Sequence, residues 1–495
     1  MASTDQNETL IGRTLSNLAG AWREIAQSAA RSVGRNDRLA AGADPQALEA
    51  FMRACLEARG GEVSARMRAA ELGETYLKLD AEGRRRFLEI LAGAFAVDET
   101  ALEAAIDHYR RAETPQAKVA AERRLRRATL PPRVKLLTQF NALPEGVKFL
   151  VDLRADLLAL PDRGPGLDGL DADLRELLAS WFDTGFLDLA RITWDSPAAL
   201  LEKLIAYEAV HEIRSWDDLR HRVESDRHLY ALFHPRMPEE PLAFVEVALV
   251  KGIARNVQAL LDGGKSDSEA DAKPDAKPDA ADTAIFYSIT NTQKGLRGIS
   301  FGEYLIKRVV QRLAVELPRI KTFATLSPIP GLRAWLETAP REAFEQALSE
   351  AERGGVRALG GNDDPRAALA VILARDDWHN DPVVRKALEG PLLRLCARYF
   401  IERRENGEPI DPVARFHLRN GARLEHVNWL GDTSAQGLRR SAGLMANYRY
   451  VLADMEKNHE AYVKDGRIAV SSEARSLIRS VTETGNGPLK RLGLG

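Results

Sequence analysis

Cysteine is scarce in this sequence. Its 495 residues hold two, Cys55 and Cys396, far apart and in no CxxC pair. That excludes zinc ribbons, thioredoxin-type redox motifs and a disulfide scaffold, and it fits a reducing compartment. Long apolar runs are also missing, none reaching the ~18 residues of a membrane-spanning helix. The opening MASTDQNETLIGRTL lacks the apolar core of a secretory leader, and the closing RLGLG is no peroxisomal SKL address. The expected address is therefore the cytoplasm, with no membrane partner. Neither sign of charge dominates: 70 Lys and Arg face 72 Asp and Glu, a net charge of −2. Nucleic-acid binders normally carry a basic excess, so no nucleic-acid partner is expected.

Several chemical signatures fail as well. Gly264–Lys265–Ser266 resembles the end of a P-loop, but the glycine required five residues before the Gly-Lys pair is Ala259. His211–Glu212 opens an HExxH pattern whose second histidine is missing, the position being Ser215. No His/Cys group has metal-ligand spacing, no Met-Lys-Met biotin site occurs, and no GxSxG elbow is present. Metal, biotin and triad-hydrolase chemistry have no support, so no metal is expected.

What is present is an ordinary globular composition, 45% hydrophobic and 29% charged. It suffices to bury a large core and, at one domain per ~150 residues, to fill two or three domains. Residues from about 14 to about 190 are rich in Ala, Leu, Arg and Glu and read as helix almost throughout. Within them Val147, Leu150, Val151, Leu157 and Leu158 recur at helical spacing. After about residue 190 the texture changes. Leu242–Val250, Ala284–Thr290 and Ile320–Leu326 are short β-rich runs, and Phe301–Leu317 is an amphipathic helix between the last two, which makes a βαβ-like unit. Arg423–Leu430 is a further strand candidate, and helices are expected over 341–352 and 365–400. Residues 263–282 (GGKSDSEADAKPDAKPDAAD) lack large apolar side chains and read as a disordered surface insertion.

Four constellations carry possible chemistry. The loop Asn291–Gly302 holds Gly295, Gly298 and Gly302 with Lys294 and Arg297, ahead of a helix N-terminus whose free amides favour an anion. Its plain reading is a glycine-rich connection. The string TLSPIPG (325–331) makes a rigid turn at a strand end, where α/β ligand sites lie, and presents Ser327 there. Its plain reading is a helix-capping serine. His417 in FHLRNGARLEHVNW has His426 as a neighbour, and residue physics alone does not choose between them. GLMANYRY (443–450) reads either as a core helix or as the source of a substrate-facing tyrosine.

Together these strings resemble the malonyl-CoA decarboxylase family. GVKFLVDLRADLL (146–158), AIFYSITNTQKGLRGISFGEYLIKRVV (284–310), LSPIPG (326–331), FHLRNGARL (416–424) and GLMANYRY (443–450) occur in the family's order and at its approximate spacing, within about residues 80 to 475. The resemblance implies an α+β chain. An all-helical domain (1–188), expected to self-associate as a dimer or tetramer, precedes a catalytic domain with a mixed sheet of GNAT acyltransferase fold (189–495). It implies malonyl-CoA → acetyl-CoA + CO2 without metal or biotin, coenzyme A entering only as part of the substrate. The family's catalytic serine falls on Ser327, its histidine on His417 rather than His426, and its active-site tyrosine on Tyr450. Gln293, Lys294, Gly295, Leu296, Arg297, Gly298, Ile299 and Ser300 would hold the CoA pyrophosphate, with Asn420 and Glu303 also on the substrate. The loop partly fits the pattern Q/R-x-x-G-x-G/A: Gly298 and Ser300 fill the last two slots, while Gly295 stands where Gln or Arg is expected. Ser300 also replaces a family glutamate, and Glu303, one turn on, is the expected substitute.

Loss of CO2 leaves an enolate on the thioester, which needs hydrogen-bond donors at its oxygen and an acid at its carbon. His417 is expected as acid or oxyanion donor, with a pKa near the working pH. Ser327 is expected on the malonyl carboxylate or the nascent acetyl group, and Tyr450 positions either. Two alternatives share the CoA loop: a GNAT-type acyltransferase, which needs an amine acceptor, and a non-catalytic acyl-CoA-binding protein.

Overall fold

In this computed structural model residues 20–22, 44–56, 61–261, 280–299, 301–404 and 407–482 are described. The insertion expected at 263–282 lies almost wholly outside them, as does Ser300. Up to Trp181 the described chain is helical, in segments that carry their own caps. Asp80 accepts from the Gly83 amide ahead of Ala81–Gly93, and Asp98 from the Ala101 amide ahead of Glu99–Arg110. Thr114 does the same for Pro115–Thr129, and prolines open Pro132–Phe140 and Pro165–Trp181. Such side chains satisfy the amides that a helix's first turn leaves unpaired, and proline has no amide to satisfy.

The helix Gly146–Ala159 lies at the centre of this region. Val147, Phe149, Leu150, Val151, Leu153 and Leu157 are buried, each such side chain worth about 1.5–3 kcal/mol. Lys148 and Arg154 are buried with them, each against a carboxylate: Lys148 on Asp152 and Arg154 on Asp171. The polar positions between the apolar ones are thus not all a solvent face.

Eight strands follow: β1 (Asp188–Ile192), β2 (Arg227–Phe233), β3 (Ala243–Val250), β4 (Thr283–Asn291), β5 (Thr322–Thr325), β6 (Ser327–Pro328), β7 (Arg423–Asn428) and β8 (Met445–Tyr450). They form one mixed sheet in the order β1-β2-β3-β4-β5-β8-β6, with β7 also on β8. β1 to β4 are antiparallel, β4 and β5 are parallel, and β8 runs antiparallel to β5, β6 and β7. The expected strands at 242–250, 284–290, 320–326 and 423–430 are β3, β4, β5 and β7, and the expected helix at 301–317 is Gly302–Glu316. GLMANYRY contains a strand, β8, and not a helix. The helices expected over 365–400 are Pro365–Leu373 and Pro382–Ile401, with the short turn Trp378–Asn380 between them.

The parallel pair parts early. Its register ends at Phe286↔Thr325, and the Leu326 amide donates to the Phe286 carbonyl at 2.9 Å. Beyond that point β4 runs on to Asn291 paired with β3, and that pairing bulges at Glu246/Val247. The other chain turns into β6 and pairs with β8. One apolar core joins the helical region to one sheet face, from Leu153 and Leu157 through Leu305 and Val309 to Phe286 and Tyr450. Separate clusters cover the other face, one around Ile285, Tyr287 and Leu326 and one around Leu201, Leu204 and Phe244.

Candidate active site

β4 and β5 run parallel, so the loop after β4 and the SPIPG turn after β5 both lie toward the carboxyl ends of their strands, the loop the farther out, and open α/β sheets bind ligands at that end. Ser327 is held there by β6, paired with Ala446 of β8. Its Oγ donates to Thr325 Oγ1 at 2.8 Å and lies 3.1 Å from His417 Nε2. The other imidazole nitrogen, Nδ1, is 2.8 Å from Tyr450 Oη. His417 comes from the helix Pro412–Arg419, whose N-cap Asp411 is fully buried and accepts the Ala414 amide at 2.6 Å. Burial pushes the Asp411 carboxyl up to about 6. Tyr450 ends β8, and two residues earlier Tyr448 stacks on the imidazole with ring centroids 4.6 Å apart and planes at 24°. Ser327, His417, Tyr448 and Tyr450 are each 5% exposed or less, so the whole chain of hydrogen bonds is out of water.

The proton positions follow from counting hydrogens. Ser327 has one, and it goes to Thr325. The contact between Ser327 and Nε2 is then a hydrogen bond only if Nε2 carries the proton, and Nδ1 accepts from the Tyr450 hydroxyl. Desolvation pushes the His417 pKa down to about 3, so the resting imidazole is neutral. The expectation of an imidazole titrating near the working pH is thereby corrected. The structure also separates the two histidines of the motif. His426 is partly exposed and pairs with Glu473 at 2.9 Å, away from Ser327.

Two buried polar groups on the elements that carry His417 and Tyr450 have no protein partner among the described residues. Asn420, three residues after His417 and wholly buried, leaves both its amide oxygen and its amide nitrogen without a hydrogen bond, and the Tyr448 hydroxyl is likewise unpaired. Native interiors rarely leave such groups unmatched, and a ligand is a standard reason. Among the described residues no three His, Cys, Asp or Glu side chains converge to hold a metal ion.

The glycine loop divides by burial. Gln293 is buried and braces the loop, its amide nitrogen donating to the Pro241 carbonyl at 3.0 Å. Gly295 and Leu296 are buried as well, and Ile299 is half-buried. A Cβ on Gly295 would lie 1.7 Å from the Val151 carbonyl oxygen, so this glycine exists to let the helix Gly146–Ala159 approach. Lys294, Arg297 and Gly298 are exposed, and neither cation makes an ion pair among the described residues. Gly298 has φ +84°, a conformation that glycine adopts without strain. The helix that follows starts at Gly302 with no side-chain cap, leaving first-turn amides for an anion. Glu303 is in that first turn, Ser300 lies outside the described residues, and a cleft of about 550 Å³ opens between the loop and the helix Gly146–Ala159.

Farther along β4 the polar side chains continue. The Ser288 hydroxyl donates to the Glu208 carboxylate at 2.8 Å, and the fully buried Glu246 lies opposite Ser288 on β3. Arg222 Nη1 meets Glu246 Oε2 at 2.8 Å, yet burial still pushes that carboxyl up to about 7. Reading the sequence missed Thr325, Tyr448 and Arg154. Thr325 and Tyr448 stand inside strings already singled out, two residues from Ser327 and Tyr450, where strand alternation puts them on the same face.

Comparison with known proteins agrees with the resemblance. The malonyl-CoA decarboxylase C-terminal domain matches residues 185–486 and the malonyl-CoA decarboxylase N-terminal domain residues 95–182. The mitochondrial malonyl-CoA decarboxylase of Anser anser anser is 37% identical over 432 residues, 84% of this chain and 84% of that protein. That of Mus musculus is 36% identical over 412 residues, 81% of this chain and 82% of that one. The crystal structure of malonyl-CoA decarboxylase from Agrobacterium vitis superposes with a TM-score of 0.76 at 42% identity, covering 87% of this chain and 99% of that one. The one from Rhodopseudomonas palustris gives 0.75 at 40% identity, covering 88% and 100%. The curated relatives are named mitochondrial, which overturns the cytoplasmic address expected from the sequence. No helix among the described residues is long and apolar enough to cross a membrane.

Proposed function

The chain belongs to the malonyl-CoA decarboxylase family, and we propose that it converts malonyl-CoA to acetyl-CoA and CO2 through the neutral relay of Ser327, His417 and Tyr450. The observation that carries this mechanism is the unbroken, buried path from Thr325 Oγ1 through Ser327 Oγ and both ring nitrogens of His417 to Tyr450 Oη. Both imidazole nitrogens are occupied, so Ser327 is the member that meets the substrate. Breaking the bond between the carboxylate and the methylene carbon releases CO2 and leaves the electron pair on that carbon, delocalised onto the thioester oxygen. The Asn420 amide, which has no protein partner, donates to that oxygen as its charge grows, and a fixed donor in a dry site is worth far more than one in water. The carbon then takes the Ser327 proton, Ser327 takes the Nε2 proton, and Nδ1 takes the Tyr450 proton. One proton entering from water at Nε2, with Nδ1 handing its proton back to the Tyr450 oxygen, restores the resting state. The chemistry draws on no metal or biotin.

The same reading extends to the frame. The antiparallel β2–β4, the parallel β4/β5 pair that parts at Phe286, and the crossover helix ending a glycine loop support a GNAT-type acyl-CoA fold for residues 189–495, with a helical domain over 1–188. Val119 and Leu130, exposed apolar residues at the outlying helix Pro115–Thr129, support self-association through the helical domain, which light scattering on the full chain tests.

Mass spectrometry of malonyl-CoA turnover in D2O tests the mechanism. The wild type is expected to release one CO2 and one singly deuterated acetyl-CoA per malonyl-CoA. Ser327→Ala and His417→Ala are expected to lower kcat by ~10² or more, the usual effect of losing a positioned donor or acid. Near-normal kcat in both would overturn the assignment.

A further inference from the structure

The string GVKFLVDLRADLL belongs to the helical half of the chain, far in sequence from the relay, and the mechanism leaves it unused. Its Arg154 is 2% exposed, and its guanidinium bridges the helical half and the glycine loop. Nη1 donates to the Gly295 carbonyl at 2.7 Å and to the Arg297 carbonyl at 2.9 Å, while Nε is held by Asp171 at 2.8 Å. A trans peptide points its N–H opposite its C=O. Binding the Arg297 carbonyl therefore turns the Gly298 N–H away from Arg154. The neighbouring amides of Leu296, Arg297 and Ile299 are closed in turns onto Gln293, Lys294 and Leu296. A second residue of the helical half comes to the same place: the Arg175 Cδ lies 3.9 Å from where a Gly298 Cβ would be. Arg175 is exposed and makes no ion pair among the described residues. Lys294 and Arg297 flank Gly298 in the loop, and Ala155 and Ala159 of the helix line the adjoining cleft of about 550 Å³.

We propose that the site for the CoA pyrophosphate is built by both halves of the chain, with Arg175 as a direct phosphate ligand and Arg154 as the positioning residue that presents the Gly298 amide. The proposal rests on the loop's assignment to the CoA pyrophosphate. Three exposed cations around an open glycine amide suit a diphosphate, and guanidinium groups bind phosphate through paired N–H donors. The helical half then serves substrate binding as well as any self-association.

The test is the ratio of kcat/KM for malonyl-CoA to that for malonyl-pantetheine, which lacks the pyrophosphate and nucleotide. Arg175→Ala, at an exposed position, is expected to raise KM for malonyl-CoA about tenfold and cut the ratio by the same factor, with kcat within about twofold; Arg175→Lys should restore part of it. Arg154→Met is expected to cut the ratio at least as far, and Arg154→Lys less. Malonyl-dephospho-CoA, which keeps the pyrophosphate, should lose as much as malonyl-CoA; if only malonyl-CoA is affected, the pyrophosphate assignment for Arg175 is overturned. An unchanged ratio in the Arg175 and Arg154 variants, with the ratio lost in the Lys294→Ala/Arg297→Ala double variant, overturns the proposal but leaves the loop's role standing. A ratio unchanged in all of them overturns both.

Discussion

Acid should weaken this fold through a single residue of the relay, and the size of the effect follows from burial. His417 has a pKa pushed down to about 3, against 6.5 when exposed. As the pH falls below about 6.5 the unfolded chain gains a proton that the folded chain refuses. The stabilisation tied to the neutral imidazole is complete above that pH and is lost progressively toward about 3. Each proton bound only by the unfolded state costs about 1.4 kcal/mol of stability per pH unit. Between about pH 8 and about pH 5 the loss from this one ring is roughly 2 kcal/mol. Urea unfolding of the wild type and of His417→Gln over that range measures it. The wild type should lose roughly 2 kcal/mol more than the variant, because glutamine has no proton to gain. His211, His228 and His234 are also pushed down by burial. They steepen both profiles alike and cancel in the difference. Parallel profiles would refute the reasoning, as would an NMR titration in which the His417 ring charges above about pH 5 in the folded protein.

Two further outcomes are expected. Arg222→Met leaves the fully buried Glu246 without its countercharge, which should cost about 3–5 kcal/mol in thermal or urea unfolding. Because burial holds that carboxyl near 7, the loss should be greater above about pH 8 than near pH 6, and a second change, Glu246→Gln, should recover part of it. Asn420→Leu removes two buried polar atoms that no protein group satisfies, so stability should stay level or rise by about 1–2 kcal/mol, while kcat falls by ~10²; a stability loss with normal kcat would make Asn420 a structural residue.

Much of the fold is legible in the amino-acid sequence. The four strand candidates and the helix after the glycine loop were readable because their apolar periods differ from those of the helical half and turn residues bound them. β2 (RHLYALF) was harder to see because Arg227 and His228 break its apolar run, although both side chains are buried. The core-helix alternative for GLMANYRY arises because Met445, Ala446 and Asn447 are weak strand formers. What makes it a strand is pairing on both sides, with β5 and β6 and with β7, and tertiary pairing overrides local propensity. Gly295 looked like a phosphate-binding glycine because Gly-rich turns before helices often are. Its actual constraint, the Val151 carbonyl, lies 144 residues earlier in the chain, beyond the reach of any local pattern.

The relay owes its rigidity to the break in the sheet that makes room for it. At Thr325 the parallel ladder stops, and a buried strand end would ordinarily leave backbone groups unpaired. Here side chains take over the ladder's work. The Thr325 carbonyl accepts from Asn447 Nδ2 at 2.7 Å, and the Thr325 hydroxyl accepts from the Tyr448 amide at 3.1 Å as well as from Ser327. Asn447 is fixed in turn by the Ala254 carbonyl at 3.0 Å and by Asn428 at 2.7 Å. The hydroxyl that orients Ser327 is thus the same group that closes β8 onto β5. Ser327 cannot swing to another rotamer without leaving Thr325 short of a donor, and the resting His417 tautomer is held as long as the Ser327 hydroxyl points its hydrogen at Thr325. Buried networks whose members satisfy one another hold a single geometry. A proton path that must stay aligned through loss of CO2 and return of a proton has more use for that fixity than for a mobile loop.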